Sequence, residues 1–332
     1  MAQMFCCAHT GALKMRWLVV AFAACSFVAD VYCADDTIAW CYHLPSCSYT
    51  QWPIISAEFC NGSRQSPINI VTSAVTVNES LNDFAFTNFG NTNVLDNITN
   101  TGKTVKVNFK SGVQVSGGGL SETYDSLQFH LHWGNRSNVP GSEHAVNGVR
   151  YPMELHIVNI KSSFNGNTTA AVNDPMGVAA LGFFIEVLPN TTGQPASWKT
   201  LTSYLQNITL GGDIVNMTPG LSLNDLLDGV DRSQYYRYLG SLTTPKCFEA
   251  VVWTVFKESI KVSEDLIDMF STMLRIGNQT SEIMVNVFRG LQTTQAVTTR
   301  SSNSGSGGSG GASGSCVSLA LLALSLFLGS SY

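Results

Sequence analysis

Charge is scarce in this chain. Only 12% of its 332 residues are Asp, Glu, Lys or Arg, and the formal net charge is −5. A nucleic-acid binder needs a basic face, and a disordered chain needs many charges and few aromatics, so neither fits a sequence with 10% aromatics. Long apolar runs are also missing. The two strongest, residues 17–28 and 317–328, hold 12 residues each, against about 20 for a helix that spans a bilayer. No His-Glu-x-x-His motif occurs, which sets aside a zinc peptidase. No repeat and no linker interrupts residues 34–300, which therefore read as one large domain.

What stands at the two ends is processing chemistry. Lys14 and Arg16 precede the first apolar run, and Val31-Tyr32-Cys33-Ala34 offers cleavage after Cys33, so residues 1–33 read as a removable secretory signal. After Arg300 there is no charged residue. Small residues, a Gly/Ser spacer and the second apolar run make residues 301–332 the pattern of a glycosylphosphatidylinositol (GPI) anchor signal. Ser304 is the expected attachment site, with Asn303 second. These segments leave roughly 270 residues for the fold. The expected location is the extracellular face of the plasma membrane, held by lipid alone.

Cysteine usage agrees with export. Of nine cysteines, Cys6, Cys7, Cys25 and Cys33 fall in the signal and Cys316 in the tail. Cys41, Cys47, Cys60 and Cys247 remain, an even number that allows three pairings in an oxidising compartment. Proximity favours Cys41–Cys47, which leaves Cys60–Cys247. Asn-x-Ser/Thr triplets occur at Asn61, Asn78, Asn97, Asn135, Asn167, Asn190, Asn207, Asn216 and Asn278, the density expected of a glycoprotein.

Alternation and β-branched or aromatic enrichment predict strands near residues 104–109, 112–116, 126–133, 154–160, 179–188 and 250–257, separated by Gly, Asn and Pro turns. Short helices are predicted at 198–206, 223–227 and 263–272. The fold class is mostly β (α+β), mainly antiparallel, with peripheral helices.

Histidine placement carries the chemistry. In Gln128-Phe129-His130-Leu131-His132-Trp133, a strand puts Gln128, His130 and His132 on one face. Glu154-Leu155-His156-Ile157-Val158 puts Glu154, His156 and Val158 on one face of another. If the strands are neighbours, three imidazoles converge. Three histidine ligands with an open fourth position describe a catalytic zinc site, and Gln128 and Glu154 could hold the outer ring nitrogens.

These residues carry a resemblance. Ser66-Pro67-Ile68-Asn69-Ile70, the two histidine motifs, Gly141-Ser142-Glu143-His144 and Gly240-Ser241-Leu242-Thr243-Thr244-Pro245 stand in the order found in the alpha-class carbonic anhydrases. The chain is most similar to their membrane-anchored extracellular branch, over nearly the whole mature length. The resemblance implies a ten-stranded, mainly antiparallel sheet and zinc (Zn2+) at the floor of a cleft, held by His130, His132 and His156. It implies reversible hydration of carbon dioxide to bicarbonate and a proton by a zinc-bound hydroxide. Thr243 would accept from that nucleophile and donate to Glu143. Val158, Ala180, Leu242, Val251 and Trp253 would form the apolar substrate wall, with Thr244, Thr101, Gln128 and Tyr42 opposite. His144 would be structural, and the branch pairs its cysteines as proximity suggests. Carbon dioxide and bicarbonate would be the small-molecule partners, with bicarbonate or proton transporters as protein partners.

Two positions depart from the family. Asn100-Thr101-Gly102-Lys103 carries lysine where fast members carry a proton-shuttling histidine. An unperturbed lysine, near pKa ~10.4, accepts protons poorly at neutral pH. The expectation is proton-transfer-limited catalysis, unless protons leave by water or through His43. Ala180 replaces the usual valine and slightly widens the substrate pocket. The rival reading is a catalytically silent carbonic-anhydrase-like binding module on the cell surface. Such relatives lose zinc ligands; this chain keeps all three, with Glu143 and Thr243.

Overall fold

Period-two alternation shapes residues 40–301, the part described by a computed structural model. The expected signal, its cleavage point, the anchor sites Asn303 and Ser304 and the apolar tail lie outside the described residues. Ten strands form one continuous path: β1 (Thr76–Val77), β2 (Leu95–Asn100), β3 (Val105–Phe109), β4 (Tyr124–Trp133), β5 (Met153–Lys161), β6 (Val178–Leu188), β7 (Ile214–Asn216), β8 (Tyr235–Gly240), β9 (Val251–Phe256) and β10 (Thr298–Thr299). Their spatial order is β7-β2-β3-β4-β5-β6-β9-β8-β10-β1. Phe84–Thr87, Gln114–Gly117 and Ile260–Ser263 pair onto this path, so the sheet has 13 strands. Most pairs are antiparallel, while β6 runs parallel to β9 and to Ile260–Ser263, and β10 runs parallel to β1. The fold is thus the mostly-β architecture expected, with three more strands than the ten implied and a mixed ladder.

The sheet separates two cores. Phe129, Leu131 and Trp133 of β4, Leu155 and Ile157 of β5, and Leu181, Phe183 and Ile185 of β6 point into the larger one. Helix α1 (Ala196–Ser203) and helix α2 (Glu264–Met273) cover it with Trp198, Leu201, Leu266 and Phe270. Each such side chain contributes roughly 1.5–3 kcal/mol by leaving water. The opposite face carries Ala180, Val251 and Trp253, with Val158 and Leu242 against them. The expected helix at 198–206 is split: α1 begins at Ala196, and Tyr204–Asn207 forms a separate 3-10 turn. At Leu223–Leu226 the Ser222 and Asp225 side chains cap each other's backbone in a capping box.

Sequence patterning does not reach β2, β7, β8 or the two-residue strands. In β2, Asp96, Asn97 and Thr99 interrupt the apolar positions, and its register to β3 shifts between Leu95 and Asn97. An alternation signal cannot survive such a bulge.

Two disulfides staple the N-terminal segment. Cys41 and Cys47, Cα atoms 5.1 Å apart, close a loop of sequence separation 6; Cys60 and Cys247, 4.9 Å apart, close one of 187. In the chain-entropy account, stabilisation grows with the loop closed. Replacing Cys60 and Cys247 by Ser together should therefore cost about 5 kcal/mol, against about 2 kcal/mol for the Cys41 and Cys47 pair. Denaturant unfolding of the two double variants measures this, and equal losses would contradict it.

Candidate metal centre

The antiparallel register of β4 and β5 sets His130 directly opposite His156 and His132 opposite Glu154. The two strands are neighbours, so the three imidazoles that share this face converge. One ring nitrogen from each of His130, His132 and His156 lies within 4.8 Å of the other two.

Outer ring nitrogens are all held. His130 Nδ1 lies 3.0 Å from Gln128 Oε1, His132 Nδ1 lies 2.8 Å from the Val287 carbonyl, and His156 Nε2 lies 2.7 Å from Glu154 Oε1. Each acceptor fixes a protonated outer nitrogen and leaves the inner one as a lone-pair donor. The inner atoms are therefore Nε2, Nε2 and Nδ1. Burial, reinforced by His132 and His156, pushes His130 well below the usual imidazole range. Burial also lowers His132, against the pull of Glu143. Both rings are neutral at neutral pH, the form in which imidazole binds a metal.

Glu143 sits beside this cluster, fully buried. Its Oε1 accepts the Arg289 backbone N–H at 2.8 Å. Its Oε2 lies 3.5 Å from His132 Nε2 and 3.9 Å from His156 Nδ1. Both Glu143 Oε2 and His132 Nε2 are buried without a hydrogen-bond partner among the described residues. Such atoms are costly unless something completes them. A divalent cation with a water ligand would do so, and a set of three imidazole nitrogens that leaves a fourth position to water fits zinc. Thr243 is buried, but no hydrogen bond joins its hydroxyl to Glu143, contrary to the expectation from the resemblance.

A second group, His144, Glu154 and His156, also has metal-ligand spacing, but its polar atoms are already paired. Glu154 Oε1 accepts from His144 Nδ1 and His156 Nε2, both at 2.7 Å, while Oε2 accepts the Glu143 and His144 backbone N–H groups at 2.9 and 2.8 Å. Burial alone would raise the Glu154 carboxyl; the imidazoles of His144 and His156 and their hydrogen bonds hold it well below the usual range. His144 Nε2 lies 2.6 Å from the Tyr238 hydroxyl, which lies 2.8 Å from Ser66 Oγ. The cluster is a hydrogen-bonded support, not a second ligand set.

The substrate-wall candidates come together. Ala180 pairs with Val158 on one side and with Trp253 on the other, and Val251 and Leu242 join the same apolar cluster. Thr244 is half-buried beside Thr243. Thr101 instead holds its own turn: its hydroxyl donates to the Thr104 carbonyl at 3.1 Å and accepts the Lys103 N–H at 3.3 Å. Gly102 takes φ +75 there, a conformation that favours glycine. Lys103 Nζ lies 4.3 Å from the Trp40 ring centroid. Trp40, Tyr42, His43 and Lys103 line a concavity that reaches Val287, whose carbonyl holds His132. Burial, with the charge of Glu143, raises the Tyr42 hydroxyl well above its usual value, so it stays protonated.

Sequence reading did not single out Gly182, Val287 or Arg289. Gly182 faces His156 across the ladder, and a Cβ there would stand 3.1 Å from Glu154 Oε1. Arg289 is buried; its Nη1 donates to Gln65 Oε1 at 2.9 Å and the Ser66 carbonyl at 2.8 Å, and its backbone holds Glu143. Burial lowers its pKa to about 10. Of the glycosylation candidates, Asn61, Asn135, Asn167, Asn190, Asn207, Asn216 and Asn278 are exposed, and Asn78 and Asn97 are half-buried.

Glu154→Ala would strand two backbone N–H groups and two imidazole N–H groups. At about 1–3 kcal/mol each, the expected loss is at least ~4 kcal/mol. Glu154→Gln, which keeps an acceptor oxygen, should lose less. Chemical denaturation of both variants checks the order; an Ala variant as stable as the parent would overturn this account of the support.

Comparison with known proteins places this geometry. The family described as eukaryotic-type carbonic anhydrase matches residues 47–302. Carbonic anhydrase 4 of Oryctolagus cuniculus is 37% identical over 262 residues, spanning 78% of this chain and 82% of the relative. Carbonic anhydrase 6 of Bos taurus is 35% identical over 234 residues, 70% of this chain and 71% of the relative. Carbonic anhydrase 4 of Rattus norvegicus is 33% identical over 280 residues, 83% of this chain and 87% of the relative. With the motif order, the mostly-β sheet and the histidine cluster on one strand pair, the chain belongs to the eukaryotic-type carbonic anhydrases.

Proposed function

We propose that this carbonic anhydrase works with zinc held by His130, His132 and His156, as a secreted glycoprotein anchored by lipid to the outer face of the cell. The observation that carries the metal assignment is the trio of inner imidazole nitrogens within 4.8 Å of one another. Zinc, when bound, supplies Lewis-acid activation of water near neutral pH.

The chain's own residues do the rest. Gln128, the Val287 carbonyl and Glu154 fix which nitrogen each histidine presents. A carboxylate can only accept, so a threonine hydroxyl directed at the Glu143 oxygens would donate its hydrogen bond there. Thr243 in that role accepts one hydrogen bond from the attacking water and orients its lone pair toward carbon dioxide. Carbon dioxide is apolar, and the wall of Val158, Ala180, Leu242, Val251 and Trp253 excludes water beside it. Thr244, with Tyr42 and Gln128, offers polar groups to the bicarbonate that leaves. Residues 34–300 act as the catalytic domain, with residues 1–33 and the tail beyond about Ser304 removed in maturation.

The purified protein should carry one zinc per chain and hydrate carbon dioxide in stopped-flow, with inhibition by a zinc-binding sulfonamide. His132→Ala should lose the metal and the activity together, and Thr243→Ala should keep the metal while losing about 100-fold in rate. Phospholipase treatment of cells should release the activity. A zinc-loaded parent without hydration activity would overturn the enzymatic mechanism, and activity that stays on treated cells would overturn the lipid anchor.

Lys103 limits proton export in this reading. Lys103→His, in a position over Trp40 at the concavity's rim, should raise turnover in weak buffer, and added imidazole should speed the parent. Neither gain appearing in stopped-flow would sink the proposal.

A further inference from the structure

The terminal strands of the sheet path, β7 (Ile214-Val215-Asn216) and β1 (Thr76-Val77), are short and contain no charged residue and no proline. Ile214 and Val77 are each 57% exposed. At the β7 edge, Asn100 N donates to the Asp213 carbonyl and Met217 N donates to the Asp96 carbonyl. Antiparallel ladders alternate bonded and non-bonded pairs, so Ile214 opposite Thr99 and Asn216 opposite Asn97 are the non-bonded pairs. Their backbone N–H and C=O groups therefore face the open side. At the other edge, the N–H groups of Thr76 and Asn78 donate to the Val297 and Thr299 carbonyls. That turns the backbone groups of Val77 outward.

An open row of this kind templates pairing with another chain, and proteins blunt it with very short edge strands, charge, proline or a bulge. Here both edges are short, Asp213 precedes β7 and Glu79 lies just past β1, and each edge also carries a glycosylation triplet: Asn216-Met217-Thr218 starting at the end of β7, and Asn78-Glu79-Ser80 directly after β1. The Asn216 side chain is exposed and makes no hydrogen bond to any described residue. Asn78 Oδ1 accepts from Ser80 N at 3.0 Å and from Ser80 Oγ at 2.6 Å, which leaves its Nδ2, the atom that takes the sugar, without a partner among the described residues. Asn97, facing Asn216 across the ladder, is different. Its Nδ2 donates to Asp96 Oδ2 at 2.9 Å, and its Oδ1 accepts from Asn108 Nδ2 at 2.9 Å, so both ends of the amide are engaged.

We infer that N-linked oligosaccharides on Asn216 and Asn78 cap the two open edges of the sheet and keep it from pairing with the sheet of a second copy, while Asn97 stays bare. This rests on the reading of the chain as a secreted glycoprotein. Attachment forms a bond between Nδ2 and the anomeric carbon of an oligosaccharide carried on a polyprenyl diphosphate. The anomeric carbon–oxygen bond breaks, its electron pair leaves with the diphosphate, and the amide gives up one proton. Nothing is oxidised or reduced.

The full chain, expressed in animal cells and solubilised in detergent, tests this by glycopeptide mass spectrometry and light scattering. Sugar is expected on Asn216 and Asn78 and not on Asn97, with the parent monomeric. Asn216→Gln should double the mass, because one freed edge closes on its twin about a twofold axis; combined with Asn78→Gln it should give larger, open-ended assemblies. Adding Ile214→Lys to Asn216→Gln should restore the monomer by placing charge on the edge. Trimming the sugars from the folded parent with an endoglycosidase should give the same assemblies, whether or not the variants fold well. A monomeric trimmed protein, or bare Asn216 and Asn78 with other triplets occupied, overturns the edge-capping inference alone. Nine bare triplets would overturn the glycoprotein reading beneath it.

Discussion

One buried negative charge organises the centre of this protein. Glu154 receives an imidazole N–H from His156, another from His144 and two backbone N–H groups from the Glu143–His144 turn. A carboxylate taken out of water is costly unless its oxygens are saturated with donors, and four donors meet that need. The consequence is geometric. The strand that carries His156 cannot shift against the turn that carries Glu143 without exposing Glu154, so the three-histidine cluster and the Glu143 carboxylate share one reference point. Gly182 belongs to the same constraint, since its missing side chain leaves Glu154 room across the ladder.

Around that centre the sheet behaves as a partition. One face of β4 and β5 presents Phe129, Leu131, Leu155 and Ile157 to the large core, and the other presents the histidines. A register slip of one residue would exchange these faces, burying imidazoles in the large core and exposing its apolar side chains. Core packing therefore enforces the site's geometry at a distance. The long-range staples work in the same direction: the Cys60–Cys247 disulfide and the guanidinium of Arg289 both hold the segment before Ser66. Arg289 reaches further, because its backbone N–H also fixes Glu143.

The sequence made the central strands legible because they obey a period of two and carry the chemistry in plain alternation: Gln128, His130 and His132 on one face, Glu154 and His156 on another. The resemblance added order to motifs that are individually weak. What stayed hidden has common physical causes. Val287 holds His132, and Arg289 holds Glu143, through backbone groups, which leave no mark in residue type. Gly182 matters by what it lacks. The strands β1, β7 and β10 are two or three residues long, too short for any periodicity, and are defined by partners far along the chain. A bulge erased the pattern of β2. Helix ends moved by a residue or two because capping and 3-10 tightening, not apolar spacing, set them.

The scarcity of charge takes on a sharper meaning once the fold is in view. Several of the few ionised groups are spent in the interior: Glu143, Glu154 and Arg289 are buried around the centre, and Arg237 is buried with its guanidinium on Thr254. Charges used this way fix geometry but do nothing for the surface. The rim of the centre shows the same economy. Lys103 there lies over the Trp40 ring, whose face attracts a cation. A chain with this composition places several of its few charges where they fix geometry.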